Sequence, residues 1–306
     1  MRFKGLDLNL LVALDALLSR RSITHAAEAI FLSQSGMSGA LARLREYFED
    51  ELLVLVGRNL VLTPLAESLA GPVREILLSI ESNVVTRPGF DPATDDRQYT
   101  LLVSELTLIL LMPAITQRLS REAPHAKLNI VSQSERTPES LERGDADLII
   151  IPEQFVSPEH PSEKLYEEHY DCLIWSGNEH IGETLSLEQY LDAGHIAVQM
   201  GSGRIAAVDG WFLERHGVSR RVELITSSLI APPMLVIGTQ RIATVHRRLA
   251  ALSARYLPVR VLPAPIEIPA LNQMVQWHKR RDNDPGLAWV RRVLAEEAAK
   301  LGSQLE

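Results

Sequence analysis

Residues 20–45 contain two short amphipathic helical patterns separated by a polar turn, with arginines at both ends. Apolar residues recur at helical spacing over residues 23–30 and again over residues 37–48, as they do on the buried face of a helix. This pairing is typical of a helix-turn-helix, which we predict over about residues 23–42. The alternative that the residues leave open is a plain helical hairpin with a polar face.

The second helix of this pair presents polar side chains outward. Ser33 stands where its hydroxyl can cap the helix N-terminus by accepting a hydrogen bond from a free backbone N–H group. Outward polar side chains at this end of a helix can bond to base edges and phosphates in the major groove. We therefore interpret the motif as a DNA-binding element. Its candidate DNA contacts are Thr24, Ser33, Gln34, Ser35, Ser38, Arg43 and Arg45.

Two glycines, Gly36 and Gly39, lie inside this second helix. Each glycine in a helix interior costs about 1 kcal/mol relative to alanine. We therefore expect the helix to fray more than its neighbours in the free protein.

The flanking segments fit a winged version of the motif, in a domain of residues 6–63. Leucines on one side of residues 10–18 complete a three-helix core, and two β-prone runs, residues 52–56 and 60–62, predict a wing. Arg58 at the tip of the wing is a further candidate for a phosphate contact. A solvated turn residue is the alternative.

A long helix is predicted next, over residues 64–87, because apolar residues there are spaced mostly four and three apart. Such a seam on a projecting helix suits dimerisation better than a core within one domain. Packing onto its own domain is the alternative. Residues 88–97, which contain prolines and a glycine, then predict a hinge.

From residue 98 onward, strand and helix patterns alternate, with helices predicted over residues 106–122 and 205–216 among others. This alternation predicts an α/β fold with parallel strands covered by helices. We expect two lobes joined by crossover strands. Lobe I comprises residues 98–165 and 272–301, and lobe II comprises residues 166–271. Open sheets of this kind bind ligands outside the carboxyl ends of their strands, so the cleft between the lobes is the predicted ligand site.

Candidate ligand contacts follow strands of both lobes. Ser104, Glu105 and Thr107 stand where the first strand of lobe I turns into a helix, so hydroxyl and free N–H groups converge there. Ser104 acting only as a helix cap is the alternative. Arg204 places a cation in a glycine-containing turn of lobe II, with a surface salt bridge as its alternative. Four further residues are candidate apolar walls of the site, with an ordinary core role as the alternative; they are Phe155, Trp175, Met234 and Trp277.

Composition and charge exclude several classes of protein. The net charge is −8, but basic and acidic residues balance within residues 1–58, so the acidic excess lies in the remainder. There is no run of about 18 apolar residues and no apolar signal segment, so we expect a cytoplasmic protein without membrane contact. The single cysteine, Cys172, is interpreted as an inert buried thiol. No arrangement of nucleophile and base and no metal-ligand spacing stands out, so we predict no catalysis, cofactor or metal.

Several short motifs along the chain match those of one protein family. They are Met1–Leu17, Ala26-Ala27, Leu32–Gln34, Met37-Ser38, Leu41–Arg45, Thr63-Pro64 with Glu67, Arg143–Leu148, Gly238–Thr244, Trp277-His278 and Asp284–Trp289. On these segments the chain resembles the LysR-type transcriptional regulators, on the branch of nodulation regulators and regulators of aromatic catabolism. The resemblance covers almost the whole chain. One departure is Ser35-Gly36, where relatives usually carry Pro-Ala.

This resemblance implies a winged helix-turn-helix, a linker helix and a two-lobed effector domain like that of periplasmic binding proteins, assembled as a homotetramer. It implies binding to double-stranded promoter DNA, and a small effector in the cleft that changes lobe geometry, DNA bending and access of RNA polymerase. Glu105 would then accept a phenolic hydrogen bond, and Arg204 would bind an effector oxygen.

Some questions stay open at the level of sequence. The effector is either a flavonoid or a smaller phenol, chlorinated aromatic or benzoate. The target genes, and the balance between activator and repressor, are not specified. The rival interpretation is a cytoplasmic two-lobed solute-binding protein, or a metabolic enzyme with an accessory helical domain.

Overall fold

A computed structural model of the chain describes residues 2–3, 6–57, 59–80, 90–133, 137–199, 215 and 220–303. The backbone divides into two compact units. The first contains Met1–Phe90, Glu139–Asp145 and His278–Leu287, and the second contains Asp91–Pro138, Ala146–Trp277 and Ala288–Glu306. None of the described helices combines the length and the apolar character needed to cross a membrane.

The first unit is built mainly from helices. They are α1 Asn9–Arg20, α2 Ile23–Ala29, α3 Gln34–Phe48 and α4 Pro64–Ile80. Two antiparallel ladders accompany them, namely β1 Arg2–Phe3 with β2 Leu6–Asp7, and β3 Leu53–Val56 with β4 Asn59–Leu62. The pair β3–β4 is the predicted wing, and Gly57 allows its turn because this residue has φ of +65°.

The helices of the first unit enclose the core that the apolar spacing predicted. Leu14 of α1, Ala26 of α2, and Met37 and Leu44 of α3 have no exposed surface. Burying a large apolar side chain stabilises the fold by about 1.5–3 kcal/mol. The three-helix core is therefore confirmed.

Helix α4 begins at a built cap. The Thr63 hydroxyl accepts a hydrogen bond from the backbone N–H of Ala66 (3.2 Å) and donates one to Oδ1 of Asp50 (2.6 Å). Pro64 occupies the first helical position, where a missing N–H removes no helical bond. This geometry gives a structural role to Thr63-Pro64, one of the motifs on which the family resemblance rests.

The predicted seam on α4 is only partly buried. Leu69 and Val73 pack against the core of their own unit, as the alternative interpretation expected. Leu65 and Ile76 remain exposed and are available to a partner helix. Residues 81–87 of the predicted helix lie outside the described residues.

The remaining elements supply two sheets and their covering helices. The strands are β5 Gln98–Val103, β6 Lys127–Ser132, β7 Leu148–Pro152, β8 Ser162–Glu168, β9 Tyr170–Trp175, β10 Gly194–Val198, β11 Arg221–Thr226, β12 Ile242–His246, β13 Val259–Pro263 and β14 Leu271–Trp277. The helices are α5 Glu105–Leu110, α6 Met112–Glu122, α7 Thr137–Glu142, α8 Leu187–Asp192, α9 Pro232–Leu235, α10 Arg247–Ala254 and α11 Pro285–Ser303. Short 3-10 helices cover Glu153–Phe155 and Lys279–Arg281.

The two five-stranded sheets of the second unit have orders β6-β5-β7-β14-β8, in lobe I, and β11-β10-β12-β9-β13, in lobe II. In each sheet the first three strands are parallel and the last two add antiparallel pairs. This departs from the expected parallel pattern because the chain crosses between the sheets once in each direction. Strand β8 pairs through Glu168, so lobe I pairing extends past residue 165, where we expected this lobe to end.

Two helix predictions differ from the structure or fall outside it. One helix was expected from Leu106 to Glu122, but α5 ends before Leu111 and α6 begins after it. Pro113 explains the break, because it has no N–H to continue the helical ladder. A helix expected over residues 205–216 lies outside the described residues, apart from residue 215.

Cys172 lies in β9 with its side chain fully buried. Burial raises the pKa of this thiol to about 12. The thiol therefore stays protonated at neutral pH, which agrees with the predicted inert role.

Candidate functional sites

The start of α3 carries an exposed polar surface. The Ser33 hydroxyl accepts a hydrogen bond from the backbone N–H of Gly36 (3.1 Å), so the predicted N-cap is confirmed. Gln34, Ser35 and Ser38 on α3 are all exposed. On α2, Thr24 is exposed as well. The helix thus offers donors and acceptors at the end that a helix-turn-helix presents to base edges.

The two arginines of α3 have different surroundings. Arg43 is exposed, and its Nε donates a long hydrogen bond to the carbonyl of Gly39 (3.4 Å). Arg45 donates to the carbonyls of Glu51 (2.8 Å) and Leu53 (2.9 Å) and pairs with the Glu51 carboxylate. Arg45 therefore ties α3 to the base of the wing, and its phosphate contact stays a prediction.

The predicted wing-tip contact, Arg58, lies outside the described residues.

Replacing Gly39 by alanine should stabilise α3 by about 0.5–1 kcal/mol, since the position is exposed and a Cβ there meets no atom within 4 Å. Amide hydrogen exchange of residues 34–42 measures the effect, and slower exchange is expected. Gly36→Ala is the matched control with a smaller gain, because its Cβ would approach the Ser33 hydroxyl to 3.2 Å. Equal exchange in wild type and Gly39→Ala would contradict the expected weakness of this helix.

A cluster of hydroxyl groups lies at the carboxyl end of β5. The Ser104 hydroxyl caps α5 by accepting a hydrogen bond from the Thr107 N–H (3.1 Å), as the capping alternative expected. The two side-chain oxygens are 3.0 Å apart. The Thr107 hydroxyl also lies 3.3 Å from the Tyr166 hydroxyl, and burial raises the pKa of that tyrosine to about 12. These groups are neutral donors and acceptors at neutral pH.

Glu105 connects the two lobes. Its Oε2 accepts hydrogen bonds from the Ser228 hydroxyl (2.9 Å) and from the backbone N–H of Leu229 (2.8 Å), both in the segment that follows β11. The carboxylate thus bonds lobe II from the first turn of α5. Any group that competes for this carboxylate alters a direct contact between the lobes.

Leu106, the residue after Glu105, packs α5 against lobe II as well. Leu106 is 1% exposed and belongs to the core cluster of lobe II, together with Leu173, Ile196 and Val245. Ile109 packs against the same cluster. Helix α5 therefore follows a lobe I strand in sequence but contributes its apolar face to the core of lobe II.

The other predicted effector contacts have separate environments. Phe155 is 51% exposed in the 3-10 helix after β7, and Met234 is 66% exposed in α9. Trp277 is only 2% exposed at the end of β14, and the Arg291 guanidinium lies 3.7 Å from the centre of its ring. Such a tryptophan serves the core, as its alternative expected. Arg204 lies outside the described residues.

This candidate site also contains three residues that were not predicted from the sequence, namely Ser228, Leu229 and Tyr166. A usable signal was present, because Ser227-Ser228 follows a strand of lobe II just as Ser104 follows a strand of lobe I. Hydroxyl residues after strands of two facing sheets are candidates for the same cleft.

A buried ion pair joins the lobes beside this cluster. Glu168 ends β8, and its fully buried carboxylate accepts hydrogen bonds from Nη1 (2.8 Å) and the backbone N–H (3.3 Å) of Arg248, at the start of α10. Arg248 also donates to the carbonyls of Glu167 (2.7 Å) and Leu301 (3.4 Å). Its guanidinium lies 5.4 Å from the centre of the Tyr166 ring. The carboxylate of this pair is thus fully buried, and the Arg248 side chain is 11% exposed.

Two histidines of lobe II are held neutral. Burial lowers the pKa of His195, with a contribution from the Arg220 guanidinium, and burial alone lowers that of His246, each to about 4. His195 Nε2 donates to the carbonyl of Tyr190 (2.7 Å), and its Nδ1 has no partner among the residues that the structure describes. A proton on Nδ1 would lack an acceptor there.

Two families match this chain in consecutive segments. Residues 8–67 match the family described as "Bacterial regulatory helix-turn-helix protein, lysR family". Residues 92–299 match the family described as "LysR substrate binding domain". The two matches coincide with the helix-turn-helix and with the two-lobed region.

Similar proteins and structures span nearly the same length. Nodulation protein D from Bradyrhizobium sp. (strain ANU 289) is 41% identical over 99% of this chain and 90% of its own length. A probable transcriptional regulator from Pseudomonas aeruginosa, 26% identical, superposes with a TM-score of 0.68 over 96% of this chain and 97% of its own. Full-length OxyR from Pseudomonas aeruginosa shares the fold at 18% identity, with a TM-score of 0.75 over 96% and 94% of the two chains.

Proposed function

Because the chain belongs to the LysR family of transcriptional regulators, we propose that it controls promoters through the exposed start of α3, in response to a small aromatic effector bound between lobes I and II. Regulators of this family bind promoter DNA and small effectors and form oligomers. The exposed Gln34, Ser35 and Ser38 support base reading by this chain.

The observation that carries the effector half of the proposal is the contact of Glu105 with Ser228 and Leu229. An effector hydroxyl that donates to Glu105 competes with these two donors of lobe II. Its binding therefore changes the free energy of the contact between the lobes, and only such a differential interaction can shift a conformational equilibrium. Ser104 and Thr107 supply further hydroxyl groups beside it.

The chemical class of the effector is proposed from the same geometry. A benzoate would bring a second negative charge close to the Glu105 carboxylate, whereas a neutral phenol or flavonoid can donate to it. The similarity to nodulation protein D supports the flavonoid among these. Arg204 remains the proposed partner of an effector oxygen.

Assembly and output complete the proposal. Two chains pair through the exposed side of α4, where Leu65 and Ile76 are available, and two such dimers form a tetramer. Paired α3 helices then meet half-sites one or more DNA turns apart. Effector binding alters DNA bending and the access of RNA polymerase to the promoter. In this proposal the chain catalyses no reaction and acts in the cytoplasm. The rival, a solute-binding protein or metabolic enzyme, does not account for the helix-turn-helix match over residues 8–67.

One paired experiment tests both halves of this function. A duplex is first selected from a random DNA library with the full-length protein. Gln34→Ala should then lose about 1–3 kcal/mol of discrimination between the selected and a random duplex, because an outward amide at the helix start reads a base edge. Its effector response should be retained. Gel-shift titrations with both duplexes measure the discrimination, and unchanged discrimination would remove Gln34 from the interface.

A second variant, Glu105→Gln, should show the opposite behaviour, with DNA binding retained and the effector response altered. Glu105→Gln keeps the shape of the side chain but removes its charge, so we expect unchanged binding to the selected duplex and an altered response to flavonoids and phenols. Arg204→Ala should behave in the same way. Calorimetry and gel shift with a flavonoid, phenol and benzoate panel measure the response. A wild-type response in Glu105→Gln would place the effector elsewhere.

A further inference from the structure

Phe31 closes the helix before the DNA-reading helix in an unusual way. It has φ of +57°, in the left-handed region. Its backbone N–H donates to the carbonyl of Glu28 (3.3 Å), and that of Leu32 donates to the carbonyl of Ala27 (2.9 Å). These two bonds form the helix ending in which the left-handed position is usually glycine. Phenylalanine is therefore an unfavourable choice for the backbone at this position.

The side chain of Phe31 does not compensate for this cost within the fold. It is 97% exposed. Three other non-glycine residues in the described part of the chain have positive φ. Arg21 and Glu49 are charged and exposed, whereas Leu52 is 1% exposed and gains from burial. Among these residues, only Phe31 combines a left-handed backbone with an exposed apolar side chain.

The position of Phe31 identifies the partner that can bury it. It lies two residues before the cap Ser33 and three before Gln34, at the end of α3 that enters the major groove in a helix-turn-helix. The apolar group that base pairs present in this groove is the C5-methyl of thymine, and phenylalanine is among the side chains that contact it. We propose that Phe31 packs against a thymine methyl group and thereby contributes to sequence recognition.

This inference rests on the proposed DNA-binding function, and it is tested with the duplex selected by the full-length protein. Each thymine is replaced in turn by deoxyuridine, which removes only the methyl group. For the wild type we expect about 5-fold weaker binding at one thymine in each half-site. Phe31→Asn should bind the intact duplex about 5-fold more weakly, should show no further loss at that thymine, and should bind a random duplex as the wild type does.

A folding measurement separates this role from a structural one. Asparagine tolerates the left-handed conformation better than phenylalanine. The Leu32 amide of Phe31→Asn should therefore exchange as slowly as in the wild type, or about 5-fold more slowly. A weakened DNA complex alongside an intact helix ending cannot arise from misfolding.

Tyr47 provides the matched control. It is a 42% exposed aromatic residue near the other end of α3, about 20 Å along the helix from Gln34. Tyr47→Asn should leave the deoxyuridine profile unchanged. The proposal is overturned if Phe31→Asn binds the intact duplex like the wild type, loses affinity equally for random DNA, or retains the deoxyuridine effect. Failure of the wild type to select any sequence would instead overturn the proposed function, and the inference with it.

Discussion

Replacing Arg248 by methionine should destabilise the second unit by about 3–5 kcal/mol, because it leaves the fully buried Glu168 carboxylate without its partner. Arg248 also donates hydrogen bonds to the carbonyls of Glu167 and Leu301, and the variant removes this donor. Denaturant unfolding measures the loss. All four tryptophans lie between Trp175 and Trp289, so tryptophan fluorescence reports on this part of the chain.

Two further variants make this result specific to the buried pair. Lys164→Met removes an exposed ion pair with Glu167 on the same strand, and it should change the unfolding midpoint far less. Combining Arg248→Met with Glu168→Gln should recover part of the loss, since no unpaired charge then stays buried. A loss in Arg248→Met no larger than that in Lys164→Met would contradict the structural role of the pair.

Stability should also fall steeply as the solution is acidified from pH 6.5 towards pH 4. His195 and His246 have folded-state pKa values of about 4, below the ordinary value of 6.5. Well above pH 6.5 both are neutral in the folded and unfolded chains, so their burial does not make stability depend on pH there. Below pH 6.5, these histidines become protonated in the unfolded chain but stay neutral in the folded chain. Each histidine then lowers the stability by up to about 1.4 kcal/mol per pH unit.

The slope of stability against pH measures this effect even where a substitution itself is destabilising. His246→Gln should reduce the slope of stability against pH between pH 6.5 and 5 by up to about 1.4 kcal/mol per pH unit. His195→Gln should have the same effect. Glu75 and Glu297 have folded-state pKa values below their ordinary 4.5, so their own contribution to the slope is small near pH 6.5 and grows towards pH 4.5. A slope that neither variant changes would show that these histidines are not buried in the neutral form.

The local parts of this fold were predictable from sequence, and the long-range parts were not. The burial of Leu14, Met37 and Leu44 follows from helical periodicity, and the Ser33 cap depends only on the next three residues. Such features are encoded within one or two turns of chain. For the same reason the wing and the helix-turn-helix were placed correctly.

The contacts between the lobes have no local signature. Glu105 and Ser228 are 123 positions apart, and Glu168 and Arg248 are 80 apart. A single sequence shows each of these residues only as a polar group near the end of a strand or helix. Their pairing depends on which strands cross between the two sheets. It could therefore be identified only from the three-dimensional structure.

The anchoring of Leu106 in the lobe II core limits how the lobes can move. Wide hinge opening would pull this side chain out of a packed interior and expose apolar surface on both sides. Small sliding displacements keep it buried while still changing the hydrogen bonds of Glu105, one residue away. We therefore expect effector-driven motion in this protein to be shear of about an ångström or two rather than hinge rotation. For the same reason, lobe II expressed without α5 should have an incomplete core.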